Sequence, residues 1–174
     1  IFRFGTSDSL LMSHLKQDPE AVLHALSVIA KDASLLCRLL IEEAGWDGIY
    51  YCVQNAENCR FTFEEYRKYV TPGDLAVLTA ANTYSENNIL HCCGWAGKKN
   101  RIEVWKDYPA KVINWAVYIE EMGLKEGKKF FGGRCVLGGF DNRPGGVLCS
   151  GTREEVEAFT AKWLEENDEN GMMI

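Results

Sequence analysis

The stretch Ile89-Leu90-His91-Cys92-Cys93-Gly94 holds an imidazole and two thiols within three residues. In an extended chain successive side chains alternate faces, so His91 and Cys93 share one face while Cys92 takes the other. Imidazole with thiolate suits zinc, bound at about 2.0 to 2.3 Å, but a zinc site needs at least three protein donors. Two other readings compete. Cys92-Cys93 as a redox pair lacks the two-residue spacer of thioredoxin-like motifs, and adjacent cysteines close a strained ring. A buried histidine beside two core cysteines is the structural alternative, since free cysteine is among the most buried residue types.

Further polar groups stand where strands give way to turns. Gln54-Asn55-Ala56-Glu57 follows an apolar run that ends near Val53, so its amides either orient a substrate or satisfy loop backbone. Gly138-Gly139-Phe140-Asp141-Asn142-Arg143-Pro144-Gly145-Gly146 is glycine-rich, yet it lacks both the dinucleotide spacing and the lysine of a phosphate loop. Asp141 and Asn142 read as substrate contacts or as turn formers. His14 and His24 read as solvated or structural.

The elements that must position these groups follow from patterning. Asp18-Pro19-Glu20 is a helix start, with Asp as N-cap and Pro in the first turn. Apolar residues from Val22 to Leu40 then recur at helical spacing until Gly45, about seven turns. Gly48 to Val53 reads as a strand buried on both faces. Thr62-Phe63-Glu64-Glu65 fits a capping box opening a short helix through Tyr69, which Pro72-Gly73 interrupts before a second piece from Asp74 to Ala81. Ile89 to Cys93 and Val112 to Ala116 are strands, and Tyr118 to Lys125 a short helix. Apolar runs follow at 135–140 and 146–149. Thr152-Arg153-Glu154-Glu155 is a second capping box, opening an amphipathic helix, and Met172-Met173-Ile174 resumes strand character. Apolar strands alternating with helices imply parallel pairing, which an open doubly wound sheet and a (β/α)8 barrel both satisfy.

Composition narrows the function classes. The 174 residues are 47% hydrophobic and 25% charged, which suits a globular protein with a real core. A net charge of -6 without any Lys/Arg block argues against nucleic acid as a partner. The acidic run from Glu165 to Glu169 reads as a solvated helix end. Seven cysteines, scattered through apolar segments, suit a reducing compartment and a cytoplasmic protein. No window approaches the roughly 18 apolar residues of a membrane helix. A start at Ile1 without an initiator Met, and an apolar finish at Ile174, suggest a single domain truncated at both ends.

In order along the chain, Gly45-Trp46-Asp47-Gly48-Ile49-Tyr50-Tyr51, Leu90-His91-Cys92-Cys93-Gly94, Leu137-Gly138-Gly139-Phe140-Asp141-Asn142 and Val147 to Val156 resemble the C-terminal part of the uroporphyrinogen decarboxylase superfamily. The resemblance runs from about residue 14 to the end. It implies the later part of a (β/α)8 TIM barrel, with parallel strands and outer helices, an incomplete copy of a fold that takes about 250 residues. It implies one of two chemistries. The decarboxylases remove carboxylates from a tetrapyrrole without a cofactor, in porphyrin biosynthesis. The methylcobalamin:coenzyme M methyltransferase branch holds zinc through His-x-Cys and a later Cys, and moves a methyl group from a corrinoid to a thiol.

The His91-Cys92-Cys93-Gly94 form matches the methyltransferase branch. The resemblance therefore implies His91 and Cys93 as zinc ligands and catalytic groups, with Asp141 catalytic and Gln54, Asn55 and Asn142 as substrate contacts at the barrel mouth. It places the third zinc ligand beyond residue 174, with Cys149 a substitute by residue type only. Asn114 stands where relatives often carry an acid. A decarboxylase would need cations near the strand ends, for which Arg60, Arg101 and Arg143 are the candidates. A non-catalytic module binding a corrinoid protein or small ligand is a further alternative. An incomplete barrel also implies self-association through its exposed edges.

Overall fold

The computed structural model describes residues 7–94, 97–167 and 170–174. Trp95 and the Asp168-Glu169 end of the acidic run lie outside the described residues. The described residues open with a helix that the periodicity does not announce, α1 (Asp8–Gln17), capped by the Ser7 side chain. In α2 (Pro19–Arg38) the Asp18 carboxylate accepts from the Ala21 N–H at 3.0 Å, and Pro19 occupies the first turn, where a missing N–H costs nothing. The helix runs on through a π turn, Leu39–Glu43, and stops at Gly45, whose φ of 73° only glycine adopts readily.

Five parallel strands form one sheet in the order β1-β2-β3-β4-β5: Tyr50–Val53, Ile89–Cys92, Val112–Trp115, Cys135–Leu137 and Met172–Met173. Among the described residues, α-helices lie in three of the four crossovers, and the β2–β3 connection holds only a short 3-10 turn, Ile102–Trp105. After β1 come α3 (Phe63–Tyr69) and α4 (Thr71–Tyr84); after β3 come α5 (Val117–Glu120) and α6 (Leu124–Phe130); after β4 come α7 (Val147–Ser150) and α8 (Arg153–Glu166). Both capping boxes form as expected, Thr62 with Glu65 and Thr152 with Glu155.

Three local expectations are corrected. The break expected at Pro72-Gly73 falls at Val70, between α3 and α4; Pro72-Gly73 sits in the first turn of α4, which continues to Tyr84. The helix expected over 118–125 is split, because Glu121 takes the left-handed conformation (φ 54°) and ends α5 one turn after it begins. The run 146–149 enters the short helix α7 and adds no strand to the sheet.

The two faces of the sheet differ. Val53, Leu90, Cys92, Ile113, Trp115 and Val136 point beneath the helices and are buried together with Tyr66, Leu78, Trp105 and Phe131. Burying each large apolar side chain of this set contributes roughly 1.5 to 3 kcal/mol. The opposite face stays accessible: Tyr50 is 53% exposed and Cys52 is exposed. The expectation that β1 is buried on both faces is therefore corrected, since no described element covers this side.

Candidate metal centre

The cluster is built by strand register. In the parallel β1–β2 pair, Cys52 lies directly opposite His91. The Cys93 N–H donates to the Val53 carbonyl at 3.0 Å, which carries the ladder one step past the last residue of β2. Cys52, His91 and Cys93 therefore emerge on the accessible face, at the C-terminal ends of neighbouring strands, and their donor atoms all lie within 4.8 Å of one another. Gly94 lets the chain after Cys93 pass close against Ala116: a Cβ there would meet the Ala116 Cβ at 2.7 Å.

These donors fit zinc. Two thiols and an imidazole are its preferred soft and borderline ligands, and ligands 2.3 Å from one tetrahedral ion stand about 3.8 Å apart. Closing the cluster onto an ion thus takes side-chain movement of about an ångström and no strand displacement. A ligand set of three also leaves one position for a substrate. The third donor comes from Cys52 inside the chain. Cys149, the substitute by type, stands elsewhere: its Sγ donates to the Asn142 carbonyl at 3.0 Å.

The imidazole is oriented from behind. Asn114, opposite His91 in the β2–β3 register, donates through Nδ2 to the Leu137 carbonyl at 2.8 Å, so its Oδ1 must face the other way. That oxygen accepts from the Tyr50 hydroxyl at 2.7 Å and lies in a short hydrogen bond with His91 Nδ1. An oxygen acceptor at Nδ1 places the proton there and leaves the Nε2 lone pair for a metal. Tyr50 also stacks on the imidazole, with ring centroids 5.2 Å apart. Burial draws the His91 pKa down, but hydrogen bonds with Cys93 and Asn114 outweigh it and leave a net rise. The hydrogen bond with Cys93, and burial after it, push the Cys52 thiol far up.

Cys92 is fully buried on the helix side, where burial raises its thiol pKa, and it takes no part. Gln54 lies over the sulfurs. Its Nε2 stands 3.5 Å from Cys93 Sγ and 3.7 Å from Cys52 Sγ, so its amide serves the thiols directly. Asn55 is 7% exposed, adopts φ 71°, and its Oδ1 has no hydrogen-bond partner among the described residues. Asp141 and Asn142 are on the loop after β4. There the Asp141 carboxylate is gripped by Arg143 at 2.7 and 2.8 Å, and this hydrogen bond holds its pKa below the usual range.

Reading along the sequence misses Cys52 because its neighbour Val53 and the apolar run around it suggest a fully buried strand. The available signal is the period of two through Tyr50, Cys52 and Gln54, which puts three polarisable or polar groups on one face. No family model, curated protein or solved structure matches the chain.

Proposed function

We propose that the protein is a zinc-dependent methyltransferase of the uroporphyrinogen decarboxylase superfamily, transferring a methyl group from a corrinoid to a thiol. The observation that carries this reading is the Cys52-His91-Cys93 donor set at the strand ends. Bound there, zinc lowers the pKa of an acceptor thiol and supplies a thiolate near neutral pH. Asn114 and Tyr50 hold His91 with Nε2 presented. The Gln54 amide, against both protein sulfurs, withdraws electron density from them and directs methylation to the acceptor thiol. Asp141 and Asn142, with Asn55, belong in this reading to the rim that receives the substrates.

The finer fold reading is the later part of a (β/α)8 barrel. It is supported by strands that follow one another in chain order without reversal, and by helices that cover one face alone. The accessible face would then be the barrel interior, where active sites of that architecture open at the C-terminal strand ends. The free sides of β1 and β5 would be its edges, open to self-association. Among the described residues no helix is long and apolar enough to cross a membrane. A cytoplasmic setting would keep Cys52 and Cys93 reduced for metal binding.

The decarboxylase reading is weaker. Arg60 pairs with Glu57 at 3.2 Å, Arg101 donates to the Phe61 and Asn58 carbonyls at 2.9 and 3.0 Å, and Arg143 clamps Asp141. These guanidiniums are engaged with their own loops. The test is zinc content of the protein purified without added metal, with methyl transfer from methylcobalamin to a thiol assayed with and without chelator. About one zinc per chain and chelator-sensitive transfer are expected. Zinc without transfer would favour a binding module, and decarboxylation of a porphyrinogen without zinc would replace the reading.

A further inference from the structure

Behind Cys93 lies a buried carboxylate that the proposed chemistry does not use. Glu120, in α5, is 3% exposed, and Asn100 takes both of its oxygens: Nδ2 donates to Oε1 at 2.6 Å and the backbone N–H to Oε2 at 3.0 Å. The same Nδ2 reaches the Cys93 carbonyl at 3.3 Å. Asn100 is itself 4% exposed and forms an antiparallel bridge to Glu57 in the loop after β1. On either side of that bridge the Asn58 N–H donates to the Lys99 carbonyl at 3.1 Å, and the Arg101 N–H to the Ala56 carbonyl at 2.8 Å.

One asparagine thus joins the loop that follows Cys52, the strand end that carries Cys93, and the helix after β3. Simple loop packing does not call for a buried carboxylate, because apolar groups of the same volume avoid its desolvation cost. The carboxylate does something apolar groups cannot. It fixes which way the Asn100 amide points, and so keeps a donor aimed at the Cys93 carbonyl.

We propose that Asn100, oriented by Glu120, is a positioning residue for the metal centre, clamping the Cys93 main chain to the loop after β1 and so setting the separation of the Cys52 and Cys93 sulfurs. This rests on the metal reading of the cluster. Loss of such an outer contact lowers metal affinity by about 10- to 100-fold in comparable centres.

The experiment titrates metal-free protein with Co2+, reading thiolate-to-cobalt charge transfer and d–d bands, alongside thermal melts. Asn100→Ala is expected to weaken Co2+ binding by about 10- to 100-fold and to alter the bands. The exchange Asn100→Asp with Glu120→Gln keeps a donor and an acceptor between the two positions but turns a carboxylate toward the Cys93 carbonyl. It is expected to melt close to wild type while binding Co2+ as poorly as Asn100→Ala, and it decides the matter if Asn100→Ala fails to fold. Wild-type Co2+ affinity and bands in a folded variant overturn the clamp and leave the metal reading standing. A wild-type protein that binds no Co2+ overturns both.

Discussion

Cys52 and His91 face each other across the β1–β2 pair, separated by 39 residues of sequence and by a single ladder step in space. Their pairing turns a two-residue motif into a three-donor cluster. Replacing Cys52 with Ala should therefore abolish stoichiometric zinc, as His91→Ala should. Cys92→Ala should leave zinc content unchanged and lower stability by about 1 kcal/mol, the cost of a small buried cavity. Metal analysis of the purified variants, with denaturant melts, distinguishes the faces; zinc lost with Cys92 and kept without Cys52 would invert the assignment.

Asn114 should matter to the metal without touching it. Asn114→Leu removes the acceptor that holds the Nδ1 proton, and zinc affinity should fall by about 10- to 100-fold. Tyr50→Phe removes one donor to the same oxygen and should have a smaller effect in the same direction. Competition with a chromophoric chelator measures both, and an unchanged affinity in Asn114→Leu would mean that the imidazole is oriented by packing alone.

Asp74 carries a pH dependence of its own. Its carboxylate receives the hydroxyls of Tyr51 and Tyr108 at 3.1 Å and of Tyr66 at 3.3 Å. Burial nevertheless dominates these bonds and raises its pKa to about 6. The unfolded value is about 3.9, so between these values the native state holds the proton that the unfolded chain has released. This contribution is therefore fully present below about pH 4 and is lost as pH rises through about 6. Melting temperature should fall across that interval in the wild type, and Asp74→Asn should flatten the fall. An equal slope in both proteins would show that other groups cause it.

The sides of the sheet and of α2 that no described element covers should promote association. Val28, Leu35 and Leu36 are exposed apolar side chains on α2, and among the described residues β1 has a strand partner on one side only. Sedimentation at rising concentration should show self-association, reduced by Leu36→Glu. A monomer over the whole range, unaffected by that change, would count against an open edge.

Much was legible in the sequence for local reasons. Capping boxes at Thr62 and Thr152 and the Asp18-Pro19 start are decided by side chains reaching backbone groups three residues away, so they can be read without tertiary knowledge. The parallel sheet followed from apolar strands alternating with helices, and the shared face of His91 and Cys93 from the pleat. What only the tertiary structure decided was register and coverage. The ladder set Cys52 opposite His91 and Asn114 behind it, and the helices packed on one face left the other open. Both depend on groups distant in the chain meeting in one arrangement. The pleat tells each strand which side chains share a face, but not which residue of a neighbouring strand will stand beside them.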